Sequence, residues 1–289
     1  MTSNRYGMPT AFRQALEHRL NRMAADQAVD VWRFRRQVAF DRLLARLFHS
    51  PEPPWILKGG YAMELRMGVA RTTRDIDLTF TRRMETPATE ATPEAIRRQL
   101  QLSLAENPLD PFEFLVGAPI QDLNAAPYGG ARFPIEVRLA GRIFARFHLD
   151  VAAGDVVVEP VDELEGRDWL QFAGIARCRV RVISGEQQFA EKIHAYTLPR
   201  NERANSRVRD LIDMYLLVAA GLNPVHTRTC LAKTFDRRQP HTLPAQLVPP
   251  PEEWNRPFAV MARECDMSPE VEVAFQVVSE FFRSLTITD

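Results

Sequence analysis

The segment Asp75-Ile76-Asp77-Leu78-Thr79-Phe80 restricts the fold more than any other part of the chain. Its polar and apolar residues alternate strictly, a period that a strand satisfies and a helix does not. In a strand, Asp75, Asp77 and Thr79 point to one face, while Ile76, Leu78 and Phe80 point to the other, which must be covered. An all-helical chain is thereby excluded. Upstream, the apolar run Trp55-Ile56-Leu57 reads as a buried strand leading into Lys58-Gly59-Gly60. Tyr61 to Met67 favours a helix that Gly68 can stop.

The flanking patterns complete the architecture. Leu16, Leu20 and Met23, then Val38, Phe40, Leu43, Leu44 and Leu47, recur at helical spacing between Thr10 and His49, and Pro51, Pro53 and Pro54 end the second helix. Glu85 to Asn107 reads as loop plus one helix, and Phe112 to Val116 as a strand. Ile135 to Leu139 and Phe147 to Val151 alternate on either side of Gly141, the pattern of an antiparallel hairpin. From Gly185 the chain turns helical. Ser184 can cap a helix, with Gln187 completing a capping box, and a second helix runs from about Ser206 to Ala220, ending at Gly221 and Pro224. Pro240 to Pro257 is expected to be irregular, and Ser268 to Leu285 forms an apolar-striped helix. The fold class is α+β: a mixed β-sheet domain flanked by helices over residues 1–183, and a helical C-terminal domain over residues 184–289.

Composition narrows the function classes. Lys plus Arg equals Asp plus Glu at 37 each, so a globally basic nucleic-acid coat protein is excluded, though a local basic cleft is not. No apolar run approaches a membrane span, and the first residues lack the apolar core of a secretory signal, so a cytoplasmic protein is expected. Cys178, Cys230 and Cys265 are too few and too scattered for a disulfide framework or a zinc knuckle. Only Lys58, Lys192 and Lys233 are lysine among the 37 basic residues, which singles them out. A lysine is a compact point charge that enters a tight phosphate site more readily than a planar guanidinium.

The chemistry converges on the first motif. Two glycines at a helix start let backbone N–H groups approach a phosphate, whose charge the helix N-terminus favours. Asp75 and Asp77, two apart on a strand, point the same way, as joint chelation of Mg²⁺ requires. Asp150 on the hairpin is the third acid for a two-metal phosphoryl-transfer site, and Asp155 competes with it but reads as a turn residue. Lys192 lies within the stripe Phe189, Ile193 and Tyr196, so it either faces a cleft or snorkels. Asp210 and Asp213 share one helix face, where Arg209 and Asp213 also fit an ordinary surface pair. Arginines at 66, 71, 74, 82 and 83, and at 200, 203, 207 and 209, flank these motifs and can steer a polyanion. His148 and His194 lie near the motifs and read as structural.

The stretch LKGGYAMELRMGVARTTRDIDL resembles the first motif of the AbiEii/AbiGii-type nucleotidyltransferase toxins, within the DNA polymerase β-like nucleotidyltransferase superfamily. EKIHAYTLPRNERANSRVRDLIDMYLL is similar to their helical motif, and FHLDV looks like their third-acid strand. By this resemblance the sheet domain is nucleotidyltransferase-like. Asp75, Asp77 and Asp150 bind metal and, with Lys192 and Asp210, form the catalytic set. Lys58, Gly59, Gly60, Arg71, Lys192 and Asp213 are assigned to the nucleotide. The sequence departs from the family at Arg209, where a lysine is usual.

The resemblance implies an Mg²⁺-dependent enzyme that takes a nucleoside monophosphate from an NTP and releases pyrophosphate. Its implied acceptor is the 3′ end of tRNA, with translation blocked and a cognate antitoxin as partner. Two other readings remain open from the residues: transfer to a small molecule or protein hydroxyl, and a catalytically silent binding module of the same fold.

Overall fold

A computed structural model of the chain describes residues 6–68, 73–81, 92–105, 110–123, 127–200 and 205–286. The chain divides into two compact units. One comprises residues 1–65, 72–154 and 163–182, the other residues 66–71, 155–162 and 183–289.

The first unit opens with α1 (Pro9–Asp26) and α2 (Val31–Leu47), followed by β1 (Trp55–Lys58), α3 (Gly59–Met67), β2 (Asp75–Phe80) and α4 (Pro93–Ala105). Pro9 starts α1, where its missing N–H costs nothing, and the Asp30 side chain caps α2 by accepting from the Trp32 amide at 2.9 Å. Then come β3 (Phe112–Val116), β4 (Gln121–Asp122), β5 (Gly130–Leu139), β6 (Arg142–Ala153), β7 (Asp162–Glu165) and β8 (Arg179–Val182). Among the described residues these strands form one mixed sheet in the order β3-β5-β6-β2-β1-β8-β7, with β4 paired to β5. β2 runs parallel to β6 and β1 parallel to β8, while β1–β2, β3–β5 and β5–β6 are antiparallel.

The expected hairpin is present and longer than its alternating cores. Ala140 and Gly141 both take positive φ, +51° and +70°, the turn that matches the right-handed twist of its strands. A bulge between Val137 and Arg138 shifts the register, so that both Phe144 and Ala145 are buried.

One face of the sheet is the core. Leu57, Ile76, Leu78, Leu149, Val151 and Phe133 are all fully buried. Phe40 of α2 packs edge-on against Phe147 on that face, ring centroids 4.7 Å apart. Helix α2 is enclosed more completely than its apolar stripe predicts. Arg46 holds Asp110 through both Nη atoms, at 3.0 and 2.6 Å, and Arg42 Nε donates to the same carboxylate at 2.9 Å. Arg42 also reaches Asp41, which accepts from the Cys178 thiol at 3.1 Å. These charges are buried because they are mutually paired.

The second unit contains α5 (Gly185–Thr197), α6 (Val208–Ala220), α7 (Pro224–Arg238), α8 (Asn255–Glu264) and α9 (Val271–Thr286). Ser184 caps α5 as expected, accepting from the Gln187 amide at 3.1 Å. The other half of the capping box goes elsewhere: Gln187 Oε1 accepts from Val158 N, and Nε2 donates to Val156 O. Gly221 ends α6 at φ +88°. Pro224, read from sequence as a stop, is instead the first residue of α7, which Asn223 caps. The proline-rich stretch is irregular only to Pro251; a 3₁₀ turn and α8 follow within it. Among the described residues no helix is long and apolar enough to cross a membrane.

Candidate active site

The face of the sheet opposite the core carries the first motif in an ordered row. Lys58 on β1 stands opposite Asp77 on β2, Asp77 beside Asp150 on β6, and Asp150 opposite Arg132 on β5. Residues in register on neighbouring strands share a face. The row across four strands is thus cation, carboxylate, carboxylate, cation. One step along the sheet, Asp75 stands beside His148.

Arg132 closes the row. Its Nε and Nη2 donate to the two oxygens of Asp150, both at 2.7 Å, and Nη2 lies 3.9 Å from Asp75 Oδ2. The hydrogen bonds that Arg132 donates to Asp150, then the charges of Asp150, Asp75 and Asp77, hold the guanidinium even more firmly protonated than usual. His148 Nδ1 is 3.4 Å from Asp75 Oδ1. Arg74 also belongs to this neighbourhood: burial and then its charge pull down the pKa of Arg36, which the charges of Glu64, Asp30 and Asp75 oppose.

Gly59 shows why the motif begins with glycine. Its φ is +68°, and a Cβ at that position would collide with the Asp77 carboxylate. The strand therefore turns into α3 directly beneath Asp77. Gly60 continues as the second residue of α3.

The donor set suits a divalent cation. Asp75, Asp77 and Asp150 supply hard carboxylate oxygens from adjacent strands, and their shared charge already draws one cation, the Arg132 guanidinium. Among the described residues, no three His, Cys, Asp or Glu side chains are gathered tightly enough to enclose an ion as they stand. With Asp150 bonded through both oxygens to Arg132, the carboxylates are arranged around that guanidinium. The residues fit the chemistry of Mg²⁺ in type, face and adjacency.

In the second unit, Lys192 on α5 donates to Asp213 Oδ2 at 2.6 Å and to Asp210 Oδ1 at 3.1 Å, both on α6. The Asp213 side chain is 0% exposed and that of Lys192 is 9% exposed. The surface pair between Arg209 and Asp213 that i,i+4 spacing allowed is not formed; Arg209 is exposed and Asp213 is buried against lysine. Lys192 does not snorkel to solvent. Arg207 adds a second cation near this cluster, 3.4 Å from Asp210. Asp155 pairs with Arg238 at 3.0 Å, both in the second unit. Arg71 lies outside the described residues, as do Arg82, Arg83 and Arg203.

Sequence reasoning overlooked Arg132 and gave His148 no partner. A signal for His148 existed, since its strand alternates with Asp150 and places both on the acidic face. Arg132 carries the same signal, since Ala131, Phe133, Ile135, Val137 and Leu139 alternate around it along β5, but its pairing with Asp150 depends on the bulge in the hairpin.

A family model described as "Nucleotidyl transferase AbiEii toxin, Type IV TA system" matches residues 42–277. Among solved structures, the chain is similar to the nucleotidyltransferase toxin MenT4 from Mycobacterium tuberculosis H37Rv, with a TM-score of 0.59 and 18% identity, covering 94% of this chain and 90% of that one. It is also similar to JHP933 from Helicobacter pylori, with a TM-score of 0.48 and 12% identity, covering 88% of this chain and 91% of the other. No curated protein matches the sequence. The likeness to MenT4 concerns the fold.

Proposed function

The chain belongs to the AbiEii family of type IV toxin–antitoxin nucleotidyltransferases, and on that premise we propose that it moves a nucleoside monophosphate from an NTP to the 3′ end of a tRNA, with Mg²⁺ as cofactor, so blocking translation. As a nucleotidyltransferase of this family it takes an NTP as substrate and has an antitoxin as partner.

The observation that carries the finer reading is the in-register pair Asp77 and Asp150 beside the Gly59 turn. In the proposal, Asp75, Asp77 and Asp150 hold the metal. When bound, Mg²⁺ neutralises charge developing on the transferred phosphate and favours attack by the acceptor hydroxyl. Lys58 is in register with Asp77, so its ammonium shares the face of the carboxylates and is assigned to the phosphates. The amides at the start of α3, opened by Gly59 and Gly60, are assigned the same anion. Arg71 is proposed to assist there. Lys192 is proposed as a separate phosphate contact, with Asp210 and Asp213 setting the position of its ammonium. Asp210 then acts through Lys192 rather than on the reacting atoms.

The test is incubation of the purified protein with each radiolabelled NTP in turn and total tRNA, a protein pool or a small-molecule pool as acceptor, with and without Mg²⁺. Label is expected at the tRNA 3′ end, only with the metal, and is expected to vanish in Asp77→Ala. Full transfer by purified Asp77→Ala protein overturns the assignment. Label that instead enters a protein or small-molecule pool moves the acceptor while keeping the chemistry.

A further inference from the structure

We propose that Arg132 is a resident counter-cation that competes with the divalent ion for Asp150 and so sets how tightly the nucleotide-free enzyme takes up metal. This inference rests on the metal-binding reading of Asp75, Asp77 and Asp150.

Four features of the sheet carry it. Asp77 and Asp150 stand side by side on neighbouring strands, an arrangement of like charges that destabilises a sheet unless a cation lies against it. Arg132 is that cation, in register with Asp150 on the other side. It occupies both oxygens of Asp150 at 2.7 Å in a fork geometry, so neither oxygen is offered to an ion without loss of a charge-assisted hydrogen bond. Its second contact, 3.9 Å to Asp75, brings positive charge to another carboxylate of the set.

The bond is also built to be exchanged. The Arg132 side chain is 30% exposed, so it can leave Asp150 for water without burying an unpaired charge. Its Cα stays in register with Asp150 through the strand ladder, so the pair re-forms when the ion departs. Ion uptake is thus an exchange: Asp150 passes from a monovalent guanidinium to a divalent ion, and the guanidinium turns outward on the same face. Arg132 is a positioning residue here. It keeps two mutually repelling carboxylates in register while no metal is bound, and it weakens the enzyme's affinity for metal alone.

The experiment is calorimetric titration of Mn²⁺ into nucleotide-free full-length protein, for wild type, Arg132→Gln, Arg132→Lys and Asp77→Asn, each checked for native circular dichroism. Losing a bidentate charge-assisted competitor is expected to tighten Mn²⁺ binding by about ten-fold or more in Arg132→Gln. Arg132→Lys, which keeps a charge but not the fork, is expected to fall between Arg132→Gln and wild type. Affinity that is unchanged or weaker in Arg132→Gln overturns the inference. Asp77→Asn separates the two levels. If it binds Mn²⁺ as tightly as wild type, the metal reading fails, and this inference with it. If it loses binding while Arg132→Gln gains nothing, only the counter-cation role fails.

Discussion

Replacing Lys192 by methionine removes one ammonium and tests whether the cluster on α5 and α6 is a structural ion pair as well as a proposed phosphate contact. The ammonium lies 2.6 Å from Asp213 and 3.1 Å from Asp210. The Asp213 carboxylate has no solvent exposure, so its charge cannot be returned to water when the lysine is lost. Breaking such a pair from one side costs about 3–5 kcal/mol, a large share of the roughly 5–15 kcal/mol that stabilises a typical protein. Replacing both partners by apolar groups of similar size is often neutral. Lys192→Met combined with Asp213→Leu is therefore expected to recover about 2 kcal/mol or more of the loss. Asp210 is slightly exposed and also faces Arg207, so Asp210→Asn is expected to cost only about 1 kcal/mol. Urea unfolding followed by circular dichroism reads all four proteins. A loss below about 1 kcal/mol in Lys192→Met, or a double variant no better than the single, would refute the buried-pair argument. Activity of Lys192 variants must be compared where each is fully folded, because the same lysine serves both roles.

Two further perturbations probe the sheet and the helical unit. Gly59→Ala adds about 1–2 kcal/mol of left-handed backbone strain and forces the Asp77 carboxylate aside, so nucleotidyl transfer is expected to fall at least about ten-fold. Gly68→Ala meets the same strain at φ +69° with open space around its Cβ, so it should lose stability but keep transfer rate; equal rates in both variants would separate Gly59 from catalysis. His194 is packed by Phe235 and His241, and burial, followed by the charges of Arg238 and His241, lowers its pKa to about 4. The unfolded state binds its proton near pH 6.5 and the folded state only near 4, so stability is full above 6.5 and falls between those values as pH drops. The loss attributable to this group is about 2–3 kcal/mol between pH 7 and pH 4. His194→Leu should flatten that part of the stability profile, and identical wild-type and variant slopes would count against it.

The elements that could be read in advance are those whose signal is local. Asp75 to Phe80 alternates, and it is a strand with Ile76 and Leu78 in the core. Lys58-Gly59-Gly60 follows an apolar run and precedes a helix, and that junction stands where expected. The shared face of Asp75 and Asp77 follows from the same period of two. Helix α7 was harder to see because Pro224 and Gly221 mark an end as readily as a beginning. Arg42 and Arg46 look like solvated positions in the sequence of α2, yet they are buried, because Asp110 arrives from far along the chain to neutralise them.

Composition and period alone determined that this chain would build a sheet with one apolar and one acidic face, entered through a double glycine. Only the tertiary structure decided which residue would stand beside the third acid. Counted from the two-residue turn at Ala140-Gly141, Ala131 would be the register partner of Asp150. The bulge opposite Val137 and Arg138 adds a residue to β6, moves the pairing by one and sets Asp150 against Arg132, whose face follows from the unbroken alternation of β5. A one-residue slip exchanges the two faces of a strand. The extra residue leaves Phe144 and Ala145 both buried in succession, and neither the length of the turn nor the period of β5 announces it.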